Sequence, residues 1–434
     1  MSRYHRKPAM AWLRRHGLLM MACTLLMACD TLTDVEAPDV VQPDQLNNPQ
    51  GAEAYTNAAI AELYDSFASF VYNSGRFSDE FFMATPFTAF ADVDFRTQSL
   101  TFTEYGPITM HRARLLANFG IEARRQYLPN ERARVGQLFA VKGYVELFLG
   151  ETSCNGTPLS EVVDFVAQFG GPMASDSMTR RAVADFDSAL VEAADSARIL
   201  NLARVGKGRA LLNLGRYAEA AAAVSAVPTS YVYNAELSTA AGSATNDVWN
   251  FNTSGGITVS NREGVNGYDY VDADDPRVPT QFLQTGTDGL TPVYVFTKYT
   301  SLNSPIVLAS GIEARLIEAE AALQASPDGG TWLNTLNDLR ATQVTPALPP
   351  LTDPGNTAAR VDLLFRERAF WLYATGHRMG DMRRLLRQYN RNHDNVYPIG
   401  PYKAGQDYGE DVVFIITLSE QSNPNGRTCT DKNP

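Results

Sequence analysis

Arg204-Val-Gly-Lys-Gly208-Arg-Ala-Leu211-Leu-Asn-Leu-Gly215-Arg-Tyr217-Ala-Glu-Ala220, closed by Pro228, is the stretch on which the fold turns. Its spacing describes two antiparallel helices joined by a tight turn at Gly215. Gly208 and Ala220 carry almost no side chain, so the two helices can touch closely. Glycine at 215 tolerates the backbone that so short a turn requires, and Tyr217 is placed to wedge against a neighbouring helix pair. One such pair cannot bury its apolar face alone, so further pairs must stack on it.

That spacing matches a tetratricopeptide hairpin, and helical patterns recur on both sides of it. A first helix is expected from about Ala54 to Phe70. An irregular aromatic-rich stretch follows it, from Tyr72 to Phe102. Two amphipathic helices are expected between Tyr105 and Gly150, parted at Leu128-Pro129-Asn130; the second carries Gly136, Gly143, Tyr144 and Leu147. Val183, Phe186, Leu190 and Ala194 make one apolar stripe of the next helix. Ile312, Leu316, Ala319 and Leu323 begin another, continued by Trp332 to Ala341, and a last helical block runs from Ala358 to Tyr389. The fold class is therefore mainly α: a tetratricopeptide-like helical scaffold over about 51–228 and 305–390, with a C-terminal tail at 391–434.

Between them, residues 229–304 lose the helical period and fill with Ser, Thr, Asn, Gly and aromatics. A structureless connection of that length is improbable inside a compact domain. It is expected to fold as an insertion of short strands and loops, with Tyr294-Val295-Phe296 as a strand leading back to the helices. Flat rings beside amides suit an extended polar ligand. Trp249, Tyr268 and Tyr270, with Asn250, Asn252 and Asn266, are thus the candidate ligand-binding residues, and Trp249 is the best of them.

The N-terminus carries an address. Arg3, Arg6, Lys7, Arg14 and Arg15 precede the uncharged run Gly17–Ala28, which has the composition and length of a secretory signal. Leu26-Met27-Ala28-Cys29 looks like a lipobox, with Cys29 as the lipidated first residue of the mature chain. An ordinary signal peptide cleaved near Ala28 is the alternative, and Cys23 is a poorer lipid acceptor because no Leu stands three residues before it. Residues 29–50, rich in Asp, Pro and Asn, read as a tether. Lys and Arg number 37 against 48 Asp and Glu, a net charge of -11, and the signal holds five of those cations. So acidic a chain is a poor partner for nucleic acid. Of four cysteines, Cys154 and Cys429 remain, an even pair in an oxidising compartment that could form one bridge.

Catalytic signatures are missing. Beyond the signal the histidines are His111, His377 and His393, with no ligand spacing and no nucleophile, phosphate-loop or dinucleotide motif. No cofactor, metal ligand set or catalytic residue is assigned. Asp269, Asp272, Asp274 and Asp275 could offer oxygen ligands to Ca²⁺, but they lack the order of a calcium loop.

The last helical block, Glu367-Arg368-Ala-Phe370-Trp-Leu372-Tyr-Ala-Thr-Gly376-His377-Arg378-Met-Gly-Asp381-Met-Arg383-Arg384, resembles the C-terminal signature of SusD/RagB-type nutrient-uptake lipoproteins. Trp371 and Thr375 depart from it, standing where that signature has Glu. Ile317-Glu-Ala-Glu320-Ala, Asn334-Asn337-Arg340, Asp274-Asp275-Pro276-Arg277, Ser78-Asp79-Glu80 and the terminal Ser419-Glu420…Asn423-Pro424-Asn425 fall in the family's order. The resemblance implies a lipoprotein on the outer membrane, facing the medium, that captures an oligosaccharide or peptide and delivers it to a SusC-like TonB-dependent transporter. A tetratricopeptide-type scaffold binding a protein partner is the alternative. Glu367, Arg368, Arg378, Asp381, Arg383 and Arg384 are spaced for ion pairs across a helix–turn–helix corner, a structural rather than catalytic role.

Cys29→Ser is expected to move the protein from the membrane to the soluble fraction, because removing the acyl chains removes the anchor. A variant that still pellets with membranes after carbonate washing would place the anchor elsewhere.

Overall fold

The computed structural model describes residues 46–86, 88–98, 107–163, 166–240, 244–403, 405–416, 422–426 and 428–433. The signal, Cys29, most of the tether, and Ser419-Glu420 lie outside the described residues. From Asn48 onward the chain forms one compact unit. No described helix is long and apolar enough to cross a membrane.

The helices are α1 (Pro49–Phe77), α2 (Thr88–Asp94), α3 (Pro107–Tyr127), α4 (Arg132–Thr152), α5 (Ser175–Glu192), α6 (Ala197–Asn213), α7 (Tyr217–Val224), α8 (Asp247–Thr253), α9 (Gly311–Ala325), α10 (Thr331–Thr342), α11 (Thr357–Trp371) and α12 (Arg378–Tyr389). The strands are short: β1 (Phe81–Met83), β2 (Thr157–Pro158), β3 (Glu161–Val163), β4 (Val166–Gln168), β5 (Pro172–Met173), β6 (Val232–Ala235), β7 (Ile257–Val259), β8 (Thr280–Thr285), β9 (Pro292–Phe296) and β10 (Ile306–Ser310). They form antiparallel two-stranded pairs. The mainly α architecture is the one the helical periodicity indicates.

Helix packs on helix in sequence: α1 on α3, α3 on α4, α4 on α5, α5 on α6, α6 on α7, then α7 on α9 and α9 on α10. Four stacked pairs result, with the insertion leaving the stack after α7 and returning at α9. The hairpin that opened the sequence reading is α6–α7. A Cβ on Gly208 would lie 2.4 Å from Val224 and 3.4 Å from the Ala220 carbonyl, so only glycine lets α6 and α7 approach this closely. Gly215 turns with φ +69°. Tyr217 reaches α12, where its hydroxyl donates to Gln388 Oε1 at 2.9 Å. Phe186 of α5 is fully buried. It fits a slot that Cβ atoms on Gly143 and Gly206 would close.

Two expectations change. Helix α1 runs to Phe77, and α2 adds a further turn of helix within the stretch read as irregular. The apolar stripe of α5 ends at Ala193, buried, while Ala194 is exposed beyond the helix end.

The corner between α11 and α12 is the densest polar region. Arg368 grips Asp381 with two hydrogen bonds, 2.7 and 2.9 Å. Arg384 reaches the same carboxylate at 2.7 Å and also pairs with Glu320 of α9. Glu367 receives Arg277 from the insertion at 2.6 Å and Arg340 from α10 at 2.7 Å. Arg378 clasps Asp79, just past α1, at 2.5 and 2.8 Å. The pairs thus reach four other parts of the chain rather than closing within the corner. Arg383 departs from the expected ion pairing: it donates to the carbonyls of Gly150 and Glu151 in the last turn of α4, where a cation complements the helix dipole. Beside it Arg209 holds Glu151 at 2.7 and 2.6 Å. Cys154 and Cys429 are disulfide-bonded across a sequence separation of 275 residues, tying the tail to the end of α4.

Although burial opposes it, Arg368 and Arg384 hold the Asp381 carboxyl well below the usual carboxylate range. A depressed folded-state pKa adds stability above the unfolded value near 4, and that stability is lost as pH falls below it. Asp381→Asn is therefore expected to cost about 3–5 kcal/mol at neutral pH, because two buried guanidinium groups lose their shared countercharge. It should also flatten the loss of stability on acidification below about pH 4. Urea unfolding at pH 7 and at pH 3 measures both; a cost under about 1 kcal/mol at pH 7 would contradict this account.

Candidate functional site

The ends of the insertion are zipped together. β6 pairs with β10 in antiparallel register, Val232 opposite Ser310 and Ala235 opposite Ile306. What lies between packs on the helical stack: Tyr233, Val248, Ile257, Val259 and Tyr270 share one buried cluster with residues of α1 and α4.

Helix α8 begins because Asn246 caps it. The Asn246 side chain accepts from the Trp249 N–H at 2.9 Å and donates to the Ser304 carbonyl at 3.0 Å. Trp249 therefore lies in a short helix, not on a non-helical stretch, since one capping amide turns the Asn-rich segment helical. Asn252 clamps α8 to the strands. Its Nδ2 donates to the carbonyls of Ile257 and Tyr294, both at 3.0 Å, and its Oδ1 accepts from the Phe296 N–H at 2.8 Å. With those bonds made and the residue buried, Asn252 is a fastener rather than a ligand contact.

Behind α8, β7 pairs with β1, and Thr258 Oγ1 accepts from the Tyr294 N–H at 2.9 Å, bringing β9 alongside. The β8–β9 hairpin turns through Asp288, whose carboxylate accepts from Thr291 Oγ1 at 2.6 Å and from Lys403 Nζ at 2.8 Å. Despite partial burial, these donors hold the Asp288 carboxyl far below its usual range. The turn is thereby locked to the C-terminal tail.

This framework presents rings. Phe251 of α8 is 38% exposed and Phe282 of β8 is 54% exposed. Each is backed by a half-buried tyrosine: Tyr72 stacks on Phe251 with centroids 4.6 Å apart, and Tyr294 meets Phe282 edge-on at 5.7 Å. Trp249 is half-buried on the same helix as Phe251. Asn250 is exposed, with no side-chain hydrogen bond among the described residues.

The other candidates are absorbed by packing. Tyr270 is fully buried in a ring cluster with Phe370 at 5.0 Å and Tyr373 at 4.8 Å. Tyr268 is covered by the Arg378 guanidinium, 4.4 Å from its centroid. Asn266 donates to the carbonyls of Asp394 and Tyr397, joining insertion and tail. The acidic run is taken up by arginines: Asp269 with Arg366 at 2.7 Å, Asp272 with Arg262 at 3.3 Å, and Asp275 with Arg277 at 2.7 Å. Among the described residues no group of three or more His, Cys, Asp or Glu is arranged to hold a metal ion.

The exposed rings Phe251 and Phe282 and the tyrosines behind them, Tyr72 and Tyr294, were not among the ligand candidates read from the sequence. The hairpin had a signal in Thr287-Asp288-Gly289 between two β-rich runs. Tyr72 had none, because it arrives from the end of α1.

No protein-family model and no curated protein sequence matches this chain. Solved structures do. A SusD superfamily protein from Parabacteroides distasonis superposes with a TM-score of 0.64 at 14% identity, covering 87% of this chain and 98% of the other. One from Bacteroides vulgatus gives 0.62 at 14% identity, covering 88% and 98%. A third, described as a SusD-like carbohydrate binding protein from Bacteroides vulgatus, gives 0.60 at 14%, covering 87% and 97%. The chain has the SusD-like fold, in agreement with its C-terminal signature.

Asn252→Ala is expected to cost about 2–4 kcal/mol, since three buried backbone groups lose their partner at once. Hydrogen exchange should then quicken at Phe296, the amide that loses its acceptor, while α5 and α6 stay protected. Unchanged protection there would contradict the clamp.

Proposed function

We propose that this protein captures a saccharide nutrient on the face formed by α8 and the β8–β9 hairpin, and delivers it to a SusC-like TonB-dependent transporter. In this reading the protein stands on the outer membrane, anchored by lipid at Cys29, with the helical stack turned to the transporter. It binds and releases its ligand without changing it.

The observation that carries the proposal is the pair of exposed, tyrosine-backed rings, Phe251 and Phe282, on an insertion whose other aromatics are mostly packed. Flat apolar faces ringed by polar groups suit sugar rings, which offer a C–H face and a rim of hydroxyls. Asn250 and the half-buried Trp249 add a hydrogen-bonding amide and a third ring. The Bacteroides vulgatus protein described as carbohydrate binding has the same fold, which supports a saccharide before a peptide.

Screening oligosaccharides by calorimetry is expected to find one that binds, and Phe251→Ala or Phe282→Ala should weaken it by about 1–2 kcal/mol, roughly five- to thirtyfold. Both positions are exposed, so melting temperature should hold. Affinity unchanged in both variants would move the site off this face.

A further inference from the structure

Helix α8 sets Asp247, Asn250, Phe251 and Ser254 along one stripe, because residues three and four apart share a helix face. Asn250, Phe251 and Ser254 are exposed and Asp247 is half-buried, its carboxylate open to solvent and without an ion pair or side-chain hydrogen bond among the described residues. Burial, and next the charge of Asp65, push the Asp247 carboxyl up to about 6. It stays mostly ionised at neutral pH.

The second acid comes from α1. Tyr72 of that helix stacks on Phe251. Asp65 stands seven residues before Tyr72, two turns back on the same face and about 10 Å along the axis. Asp65 also lines an open groove of about 470 Å³ between α1 and the segment after β6, with Asn57, Tyr64 and Glu236 in its walls. Charge is unbalanced along this strip. Arg112 is the cation of the groove, and Glu62 already holds it at 2.6 Å. Asp65 and Glu236 are exposed and, like Asp247, have no ion pair among the described residues. Burial raises the Asp65 carboxyl too, and the Arg112 charge only partly offsets it.

Taking the ring face as the site of capture, we propose that its ligand is a cationic saccharide, an oligomer of amino sugars with free amines. One sugar ring stacks on Phe251, and ammonium groups lie against Asp247 and Asp65. A carboxylate whose charge is opposed by burial and by a like charge gains most from an ammonium partner. The same strip repels uronates and other acidic sugars. Acetylating the amines keeps the ring that stacks and removes the charge, so the two contributions separate.

Calorimetric titration of the purified protein with the glucosamine tetramer tests the assignment, with the fully N-acetylated tetramer and cellotetraose as uncharged counterparts. The amine tetramer should bind about tenfold more tightly than either counterpart, or better. Asp247→Asn and Asp65→Asn should each remove part of that preference. Together they should bring the amine tetramer to the level of its acetylated form, whose own affinity stays the same. Phe251→Ala should weaken both ligands, which separates binding on this face from diffuse attraction to an acidic protein. Neither aspartate holds a partner, so the melting temperature of the variants should match or exceed the parent. The proposal falls if the amine tetramer does not bind, if it binds no tighter than its acetylated form, if the double variant keeps the preference, or if Phe251→Ala binds it as the parent does. An uncharged tetramer that binds through Phe251 while the amines add nothing overturns the amino sugar and leaves the capture face standing. The comparison of ligands on the parent protein stands even if a variant fails to fold.

Discussion

Two guanidinium groups share the buried carboxylate of Asp381, and the rest of the structure is arranged around that contact. Arg368 approaches from α11 and Arg384 from α12 itself, and Arg384 carries the link on to Glu320 of α9. Burying ions is costly, and a buried pair adds little net stability over a well-packed apolar substitute. Its effect is geometric. A bidentate guanidinium–carboxylate contact tolerates little error in direction, so α11, α12 and α9 can meet in only one arrangement.

The same logic extends outward. Glu367 draws in Arg277 of the insertion and Arg340 of α10, and Arg378 draws in Asp79 beyond α1. The residue immediately after Asp79, Glu80, accepts from the Ala374 N–H at 3.0 Å inside the corner. First helix, last helices and insertion are therefore fastened at one place, although they are up to 300 residues apart in sequence. The helical stack needs this. Successive helix pairs contact only their neighbours, and a stack closed by nothing else leaves its insertion free to swing.

The insertion in turn is rigid where it must be. Asn246 and Asn252 fix α8, while Asp288 and Lys403 fix the hairpin turn. Rings held on such a frame would lose little freedom if a ligand stacked on them. Of the asparagines that looked like ligand contacts in the sequence, Asn252 serves this frame and Asn266 joins the insertion to the tail, while Asn250 stays exposed. An amide has donors and an acceptor, and inside a loop the nearest unsatisfied groups are backbone ones.

The sequence by itself determined the helical stack. Gly208, Gly215, Ala220 and the apolar periods are local signals, because helix packing depends on residues three and four apart. It also marked Glu367 through Arg384 as a cluster of paired charges, and Cys154 with Cys429 as the residues available for a bridge. It did not give the partners: Asp79, Arg277, Arg340 and Glu320 are ordinary residues until folding brings them to the corner. Nor did it separate Trp249, at the surface of a capped helix, from Tyr270, buried among Phe370 and Tyr373. Both are aromatic residues in a polar, aperiodic stretch. Whether such a ring meets solvent or a core is decided by which distant segments fold against it, as Phe370 and Tyr373 do against Tyr270.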